Sequence, residues 1–473
     1  MASAAFLIFS GVIPLVKIFI TMFVGYYFAR KDLFPQVATR GASQIAINLS
    51  LPPLIFSSIV PAFTKDNVSA IWPTFLIALI YAILGLFFGL IIREVCYVPR
   101  NFWQGIVVAC CLGNWGNLPA AVIVPVTQQP PFNPPTDTNL GVSFIGIFIV
   151  VYNIFFWICG LARSLAWDYA PGVPQGEEAQ RRVPWSEKPI GSLVHRYLLG
   201  KPPLRPSTSA LQGADDPSEP TTPTSIEKGE KSTSVQVAVS SQPDPGSTIL
   251  PVHAPSVAVS SSNLRFLMQT LSFVFAPINL VIAGSLCIAL VQPLKALFVD
   301  VSSQGGPSWK GPDGRPPLAF VMDTGQLTLA FAATRRYLTS SQLAAFVGSI
   351  TIPLSLVLLG SFFARMKVPR PISRLPIAAI LYVCVAKLVL LPIIGVFTVQ
   401  AMVKGGFIPP QNRVQIFVAM FLSGTPTSIT QLIVSALYAS DGDLDTLSAF
   451  LLAQYVFMFF SSSALTSISI LLS

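Results

Sequence analysis

Charge is scarce in this chain. Only 10% of its 473 residues are Asp, Glu, Lys or Arg, against roughly 25% in an ordinary soluble domain, while 52% are hydrophobic. Histidine is scarcer: His195 and His253 are the only two, and both lie in a polar stretch. The six cysteines, Cys96, Cys110, Cys111, Cys159, Cys287 and Cys384, sit in or beside apolar runs without the spacing of metal ligands or of a disulfide framework. No metal and no cofactor is therefore expected. An enzyme is not expected either, because the apolar runs hold no His, Asp or Glu and offer little beyond the Cys110 and Cys111 thiols. The formal net charge of +9 does not point to nucleic acid, since Lys and Arg gather at the ends of apolar runs and in the polar middle, as membrane topology alone produces.

What the chain has in abundance is apolar runs of spanning length. They cover Phe6 to Phe28, Gly41 to Val60, Ile71 to Ile92, Phe102 to Val124 and Leu140 to Leu165, then Phe266 to Leu290, Leu343 to Phe363, Leu375 to Val399, Val414 to Tyr438 and Leu447 to Leu472. The first is too long for a signal peptide and reads as a helix that stays in the bilayer. The expectation is an all-α polytopic membrane protein with ten transmembrane helices. Three regions follow: a first five-helix repeat over 1–165, a disordered loop over 166–264, and a second five-helix repeat over 265–473. The loop is rich in Pro, Ser, Thr and charge, as in "KPPLRPSTSALQGADDPSEPTTPTS", and cannot bury enough apolar surface to offset its ordering entropy. One piece of it, Pro189 to Gly200, reads as an amphipathic turn or two that lies on the membrane surface or packs against the loop.

Orientation follows from the short loops. Arg30, Lys31 and Arg40 follow the first run, Arg93 and Arg100 the third, and Arg365, Lys367, Arg370 and Arg374 the seventh, whereas short loops on the other side hold only Lys65, Lys404 and Arg413. Positive charge stays inside, so both termini are expected to be non-cytosolic and the long loop cytosolic. Five spans per half is odd, so related halves would be inverted. "INLSLPPLIFSS" answers "SITIPLSLVLLGS", and "GNWGNLPAAVIV" answers "LSGTPTSITQLIV".

The fourth run carries the strongest local signal. Pro119 lacks an amide hydrogen and obstructs the carbonyl four residues earlier, while Gly113 and Gly116 make unwinding cheap, so the helix is expected to break there. Gly424, Thr425 and Pro426 say the same of the ninth run. Freed backbone groups are costly in lipid, so both breaks must face protein or a wet cavity. Two crossed broken helices would aim amides and positive half-helix ends at one point, and Asn114 and Asn117 would add donors, a site suited to a carboxylate. The alternative is a structural proline kink whose Asn side chains bond loose carbonyls.

"NLSLPPLIF", "GNWGNLP", "SGTPTS" and "FAPINLVIAGSLCIALVQPLKALF" together resemble the auxin efflux carrier family, in its PIN-LIKES and fungal branch. The resemblance implies an elevator-type carrier with helices one, two, six and seven as scaffold, and three to five and eight to ten as moving domain. Its crossover site would fall at Asn114, Asn117, Pro119, Thr425 and Pro426. It also implies an auxin-like organic anion as substrate, a homodimer, and the endoplasmic reticulum membrane ahead of the plasma membrane. One departure is visible: "GQLTLAFAATRRYLTSSQLA" follows Asp323 and Thr324, an insertion over about 325–343.

None of the twenty acidic residues falls inside a spanning run, which leaves a proton relay or a carboxylate sodium site without a candidate. Two lysines do fall inside. Lys17 is about 16 Å from either end of its run, too far to snorkel, so it is expected to face the protein interior or water, where it would either offset the charge of a passing anion or serve as a scaffold lysine hydrogen-bonded to helix carbonyls. Lys387 is expected to be structural. Asn153 and Gln431 are further candidates for the substrate cavity, or for contacts between helices. Competing readings are a sodium-coupled organic-anion symporter of the bile-acid type, and a membrane scaffold whose loop recruits partners. The loop's "TTPTSIEKGEKSTS" also suits kinases.

Overall fold

The computed structural model describes residues 4–62, 68–134, 136–176, 178–197, 277–302, 305–311, 316–319, 347, 350–366, 375–439 and 444–473. Among these residues the chain is helical, and extended pairing is limited to one bridge, Gly113 with Thr427. Each of the ten apolar runs carries helix. The first is α1 (Ala4–Arg30); the second is α2 (Gln36–Ile45), a π-helical turn Ala46–Ser50 and α3 (Leu51–Ala62); the third is α4 (Val68–Val95). The fourth is split into α5 (Trp103–Cys111) and α6 (Asn117–Thr127). The fifth is α7 (Thr136–Asn153) with a π-helical turn Ile154–Ile158, followed by the short α8 (Leu161–Ser164) and α9 (Pro189–Tyr197).

The remaining five runs follow. The sixth is α10 (Pro277–Leu290) with the short α11 (Gln292–Lys295), and the seventh is α12 (Thr351–Arg365). The eighth run is α13 (Ile377–Val385), a π-helical turn Ala386–Leu390 and α14 (Leu391–Lys404); the ninth is split into α15 (Arg413–Leu422) and α16 (Ile429–Tyr438); the tenth is α17 (Asp445–Leu472). Five stretches are long and apolar enough to cross a bilayer: 36–62, 69–95, 136–158, 377–404 and 445–472.

Small residues let the helices approach. Gly25 of α1 lies against the Val357 backbone and Gly360 of α12 against the Met22 backbone, so a side chain at either would strike the partner's main chain. Such contacts between backbones are how helices gain packing where apolar surface alone gives no preference for protein over lipid. Lys17 falls on the other side of α1. Leu15, Ile18 and Met22 form the buried stripe at helical spacing, whereas Lys17 is exposed beside Val16 and Ile20. Of the two expected settings for Lys17, the protein interior is excluded: at 100° per residue it sits some 200° from Leu15, on the outer face.

Two further expectations differ from the structure. The fifth run does not continue to Leu165 as one helix; it ends at Ile158, and Gly160 adopts a left-handed φ of 83° that turns the chain. The polar region does not begin as disordered chain at Ala166 either. Residues 161–176 and 178–197 fold back as a strap over the ends of α4 and α5. Lys188 Nζ donates to the carbonyls of Arg93, Glu94 and Cys96 at 2.8, 2.9 and 2.6 Å, and Tyr97 Oη donates to the Gln180 carbonyl at 2.6 Å. Asp168 accepts from the Gln104 amide at 3.0 Å and the Gly105 amide at 2.7 Å, capping the positive end of α5. The strap's polar residues thus serve the open ends of apolar helices, which composition read as loop. The rest of the expected loop, 198–264, and the insertion over 325–343 lie outside the described residues.

Burial pushes the Asp168 carboxyl up to about 7, against the pull of the two amides and then of Arg100 and Arg93. The folded state therefore holds this proton more tightly than the unfolded chain does. The contribution is complete below the ordinary carboxylate range, about pH 4, and is lost as pH rises through about 7. Thermal unfolding of the detergent-solubilised protein is expected to show lower stability at pH 8 than at pH 6, and Asp168→Asn, which has no proton to lose, should flatten that part of the profile.

Candidate functional site

Both broken runs break where expected, over Leu112–Gly116 and over Ser423–Ser428, and the two breaks meet. Gly113 and Thr427 form the antiparallel bridge, and the Asn114 amide donates to the Pro426 carbonyl at 2.7 Å. Backbone groups released by one break are satisfied by the other, which is what a break inside a membrane protein requires. The approach depends on Gly113, because a side chain there would run into Thr425 Oγ1 and the Trp115 indole nitrogen. Gly424 is packed against Leu465 and Pro392. Gly116 is different: its φ is −103° and a Cβ would meet only Ile149 at 3.8 Å, so neither backbone nor space demands glycine. Pro119 is the third residue of α6, in the first turn, where a missing amide removes no helical bond. Thr425 Oγ1 donates back to the Leu422 carbonyl at 3.3 Å.

Side chains from three other helices hold the crossing. Asn114 Nδ2 donates to Tyr455 Oη of α17 at 3.2 Å. The Thr427 amide donates to Gln454 Oε1 at 2.9 Å, and the Thr427 hydroxyl lies 2.7 Å from the Ala109 carbonyl and 2.9 Å from Gln454 Oε1. Tyr152 Oη of α7 donates to Ser428 Oγ at 3.1 Å. The most consequential contact is made by Lys387. It is fully buried in the π-helical turn of the eighth run, and its Nζ donates to the carbonyls of Ala109 and Leu112 at 2.8 Å each and of Cys110 at 3.4 Å. These are the last carbonyls of α5 and its cap, the negative end of a half-helix. Lys387 is structural, as expected, and it also sets a cation beside the break.

The two half-helices that leave the crossing differ at their starts. α16 is capped by its own Ser428, whose hydroxyl accepts from the Thr430 amide at 3.3 Å. α6 begins at Asn117 after Gly116 with no side-chain cap. The side chain of Asn117 lies outside the described residues. The start of α6 and the Lys387 Nζ both lie at the crossing, and among the described residues no Asp or Glu bonds to it.

Asn153 and Gln431 are not brought to the break. Asn153 Nδ2 donates to the Ile149 carbonyl of its own helix at 2.8 Å, and Gln431 Nε2 donates to the Gly105 carbonyl at 2.7 Å, in the first turn of α5. Gly105 is about 9 Å along the helix from Cys111 at 1.5 Å per residue. The fifth run contributes Tyr152 to the crossing instead. Thr427 and Ser428 stand in the SGTPTS motif directly after Pro426 but were not singled out, and nothing local marks Tyr455.

Residues 10–188 match the membrane transport protein family. The match contains the first break and the strap as far as Lys188, and ends before α9 and the second break. Protein PIN-LIKES 2 of Arabidopsis thaliana is 30% identical over 158 residues, 32% of this chain and 34% of that protein. An uncharacterised transporter of Saccharomyces cerevisiae is 28% identical over 162 residues, 34% of this chain and 25% of its own length, and protein PIN-LIKES 1 of Arabidopsis thaliana is 28% identical over 162 residues, 33% and 34%. The chain thus aligns with about a third or less of the length of these relatives. The matched family is a membrane transport family, and together with the five stretches long and apolar enough to cross a bilayer the match supports an integral membrane protein.

Replacing Lys387 with Met would leave the Ala109, Cys110 and Leu112 carbonyls without their donor. Each buried group left unsatisfied costs about 1–3 kcal/mol. Lys387→Met should therefore lower the thermal unfolding temperature markedly more than substitution of the exposed Lys17 by Met, measured side by side in the same detergent.

Proposed function

We propose that this protein is a membrane carrier for small amphipathic organic anions, of the aromatic carboxylate kind that auxin represents, working by alternating access. The observation that carries the reading is the uncapped start of α6 beside Asn114, with the Lys387 cation behind it and no carboxylate among the described residues that bond there. An anion placed at that point would meet first-turn amides and the positive end of a half-helix, the arrangement that broken-helix transporters use for substrate carboxylates. Gly113, Thr425 and Pro426 hold the two breaks in register, and Asn114 and Asn117 supply side-chain donors.

The architecture in this reading is ten spans as a 5+5 inverted repeat, operating as an elevator. The paired breaks at corresponding positions of the two halves support it, as does the packing of α1 along α12 and of α10 along α3 in the part assigned to the scaffold. A carrier of this type in the endoplasmic reticulum membrane would sequester its substrate from the cytosol. Sodium coupling is the weaker reading: the Thr427 and Gln454 side-chain oxygens at the crossing are already engaged with each other and with the backbone.

Uptake of radiolabelled indole-3-acetate into proteoliposomes tests the proposal. Wild type should take it up above empty liposomes, equally with and without sodium. Removing a hydrogen bond to a charged group costs about 1.5–3 kcal/mol, roughly a tenfold to hundredfold weakening. Asn114→Ala with Asn117→Ala should therefore abolish most uptake while the protein stays folded. No uptake of this or other aromatic carboxylates by well-folded wild type would overturn it.

A further inference from the structure

The strap ends in a helix whose outer face has no use inside the protein. α9 (Pro189–Tyr197) is held beside the last turn of α4: Lys188, just before it, donates to three carbonyls there, and the Ile190 amide donates to Glu94 Oε1 at 3.3 Å. Glu94 is itself paired with Arg93 at 3.0 Å. Gly191 seats the helix against the Trp185 carbonyl, where any side chain would collide. This fixes which side of α9 looks inward. Ile190, Leu193 and Tyr197, at positions i, i+3 and i+7, look outward, and Leu193 is 54% and Tyr197 76% exposed.

The position of that stripe is informative. α4 shows an exposed apolar row at four-residue intervals, Ile83, Phe87, Ile91 and Val95, along a helix long enough to cross a bilayer. Such a row faces lipid. It runs to the end of α4, where Val95 is 76% exposed, and α9 packs against that same helix. The α9 stripe therefore continues a lipid-facing row at the depth where the hydrocarbon gives way to headgroups. Trp167 and Trp185 are also exposed on the strap, and Arg196 lies over the Tyr197 ring at 5.9 Å. Aromatic rings with a polar edge and flanking basic groups are what membrane interfaces select.

We propose that α9 is an interfacial helix that lies in the plane of the bilayer surface, with Ile190, Leu193 and Tyr197 in the acyl boundary and Arg196 at the headgroups. It is too short to hold itself on a membrane, and the Lys188 clamp to α4 supplies the preorganisation. The strap would then peg the end of the third run, and through Asp168 the start of α5, to the membrane surface. This inference rests on α4 being a span, not on the nature of the substrate, so it stands or falls separately from the transport reading.

Nitroxide labelling of the full chain in lipid nanodiscs tests it, with the exposed Cys159 and Cys287 replaced by Ser and the buried cysteines kept. Labels are placed singly at Ile190→Cys, Leu193→Cys and Arg196→Cys, three exposed positions whose substitution leaves the clamp in place. Power saturation with oxygen, which concentrates in lipid, and with a water-soluble nickel chelate reads the depth. Labels at 190 and 193 should be accessible to oxygen and several-fold less accessible to nickel than the label at 196. Equal nickel access at all three would overturn the proposal. So would exclusion of both reagents from 190 and 193, which would mean that protein, whether 198–276 of this chain or another chain, covers the face.

Discussion

Everything at the centre of this protein follows from one constraint: a helix broken inside a membrane must find new partners for its backbone within the protein. The two breaks supply each other. The Gly113–Thr427 bridge and the Asn114 amide on the Pro426 carbonyl close the crossing in one direction, and Lys387 closes the carbonyl end of α5 in the other. The lysine and the helix end are mutually dependent. A buried cation without partners would be expensive, and so would carbonyls at a helix end in a dry interior; each offsets the other. Of the two half-helices that start at the crossing, α16 is capped by Ser428, whereas α6 follows Gly116 with no side-chain cap.

In the proposed carrier this difference between the two starts links structure to transport. A neutral crossing would be a structural knot, and one with a carboxylate would favour a cation. Here the polar groups contributed by α7 and α17 stabilise the second break, through Ser428 and Thr427, more completely than the first. In the proposed carrier this asymmetry would direct an anion to the first break. The strap adds mechanical context, because it bonds to the end of α4 and the start of α5, the half-helix whose other end Lys387 holds.

How much of this was legible in the sequence depends on how local the signal is. Gly113, Pro119, Gly424 and Pro426 act on their own backbone, so both breaks could be placed within a few residues. Lys387 was visible as an intramembrane cation, but the helix it serves is some 275 residues away in sequence and no local pattern points to it. For Lys17 the sequence left interior and water open, because distance from the helix ends says that a lysine cannot snorkel, not which face it occupies. α1 is apolar on every side, so periodicity carried no face information there. Gly116 belonged to a glycine pattern that the backbone does not use. The strap was missed because Pro, charge and Trp in succession look like loop until the open ends of α4 and α5 are placed beside them.

The measurement that bears most directly on the account is an experimental density map of the protein in lipid nanodiscs with an aromatic carboxylate bound. The account predicts the carboxylate within hydrogen-bonding distance of Asn114 and the first amides of α6, with Lys387 on the α5 carbonyls. A map with the crossing intact and the ligand held elsewhere, or with Lys387 turned away from α5, would contradict it.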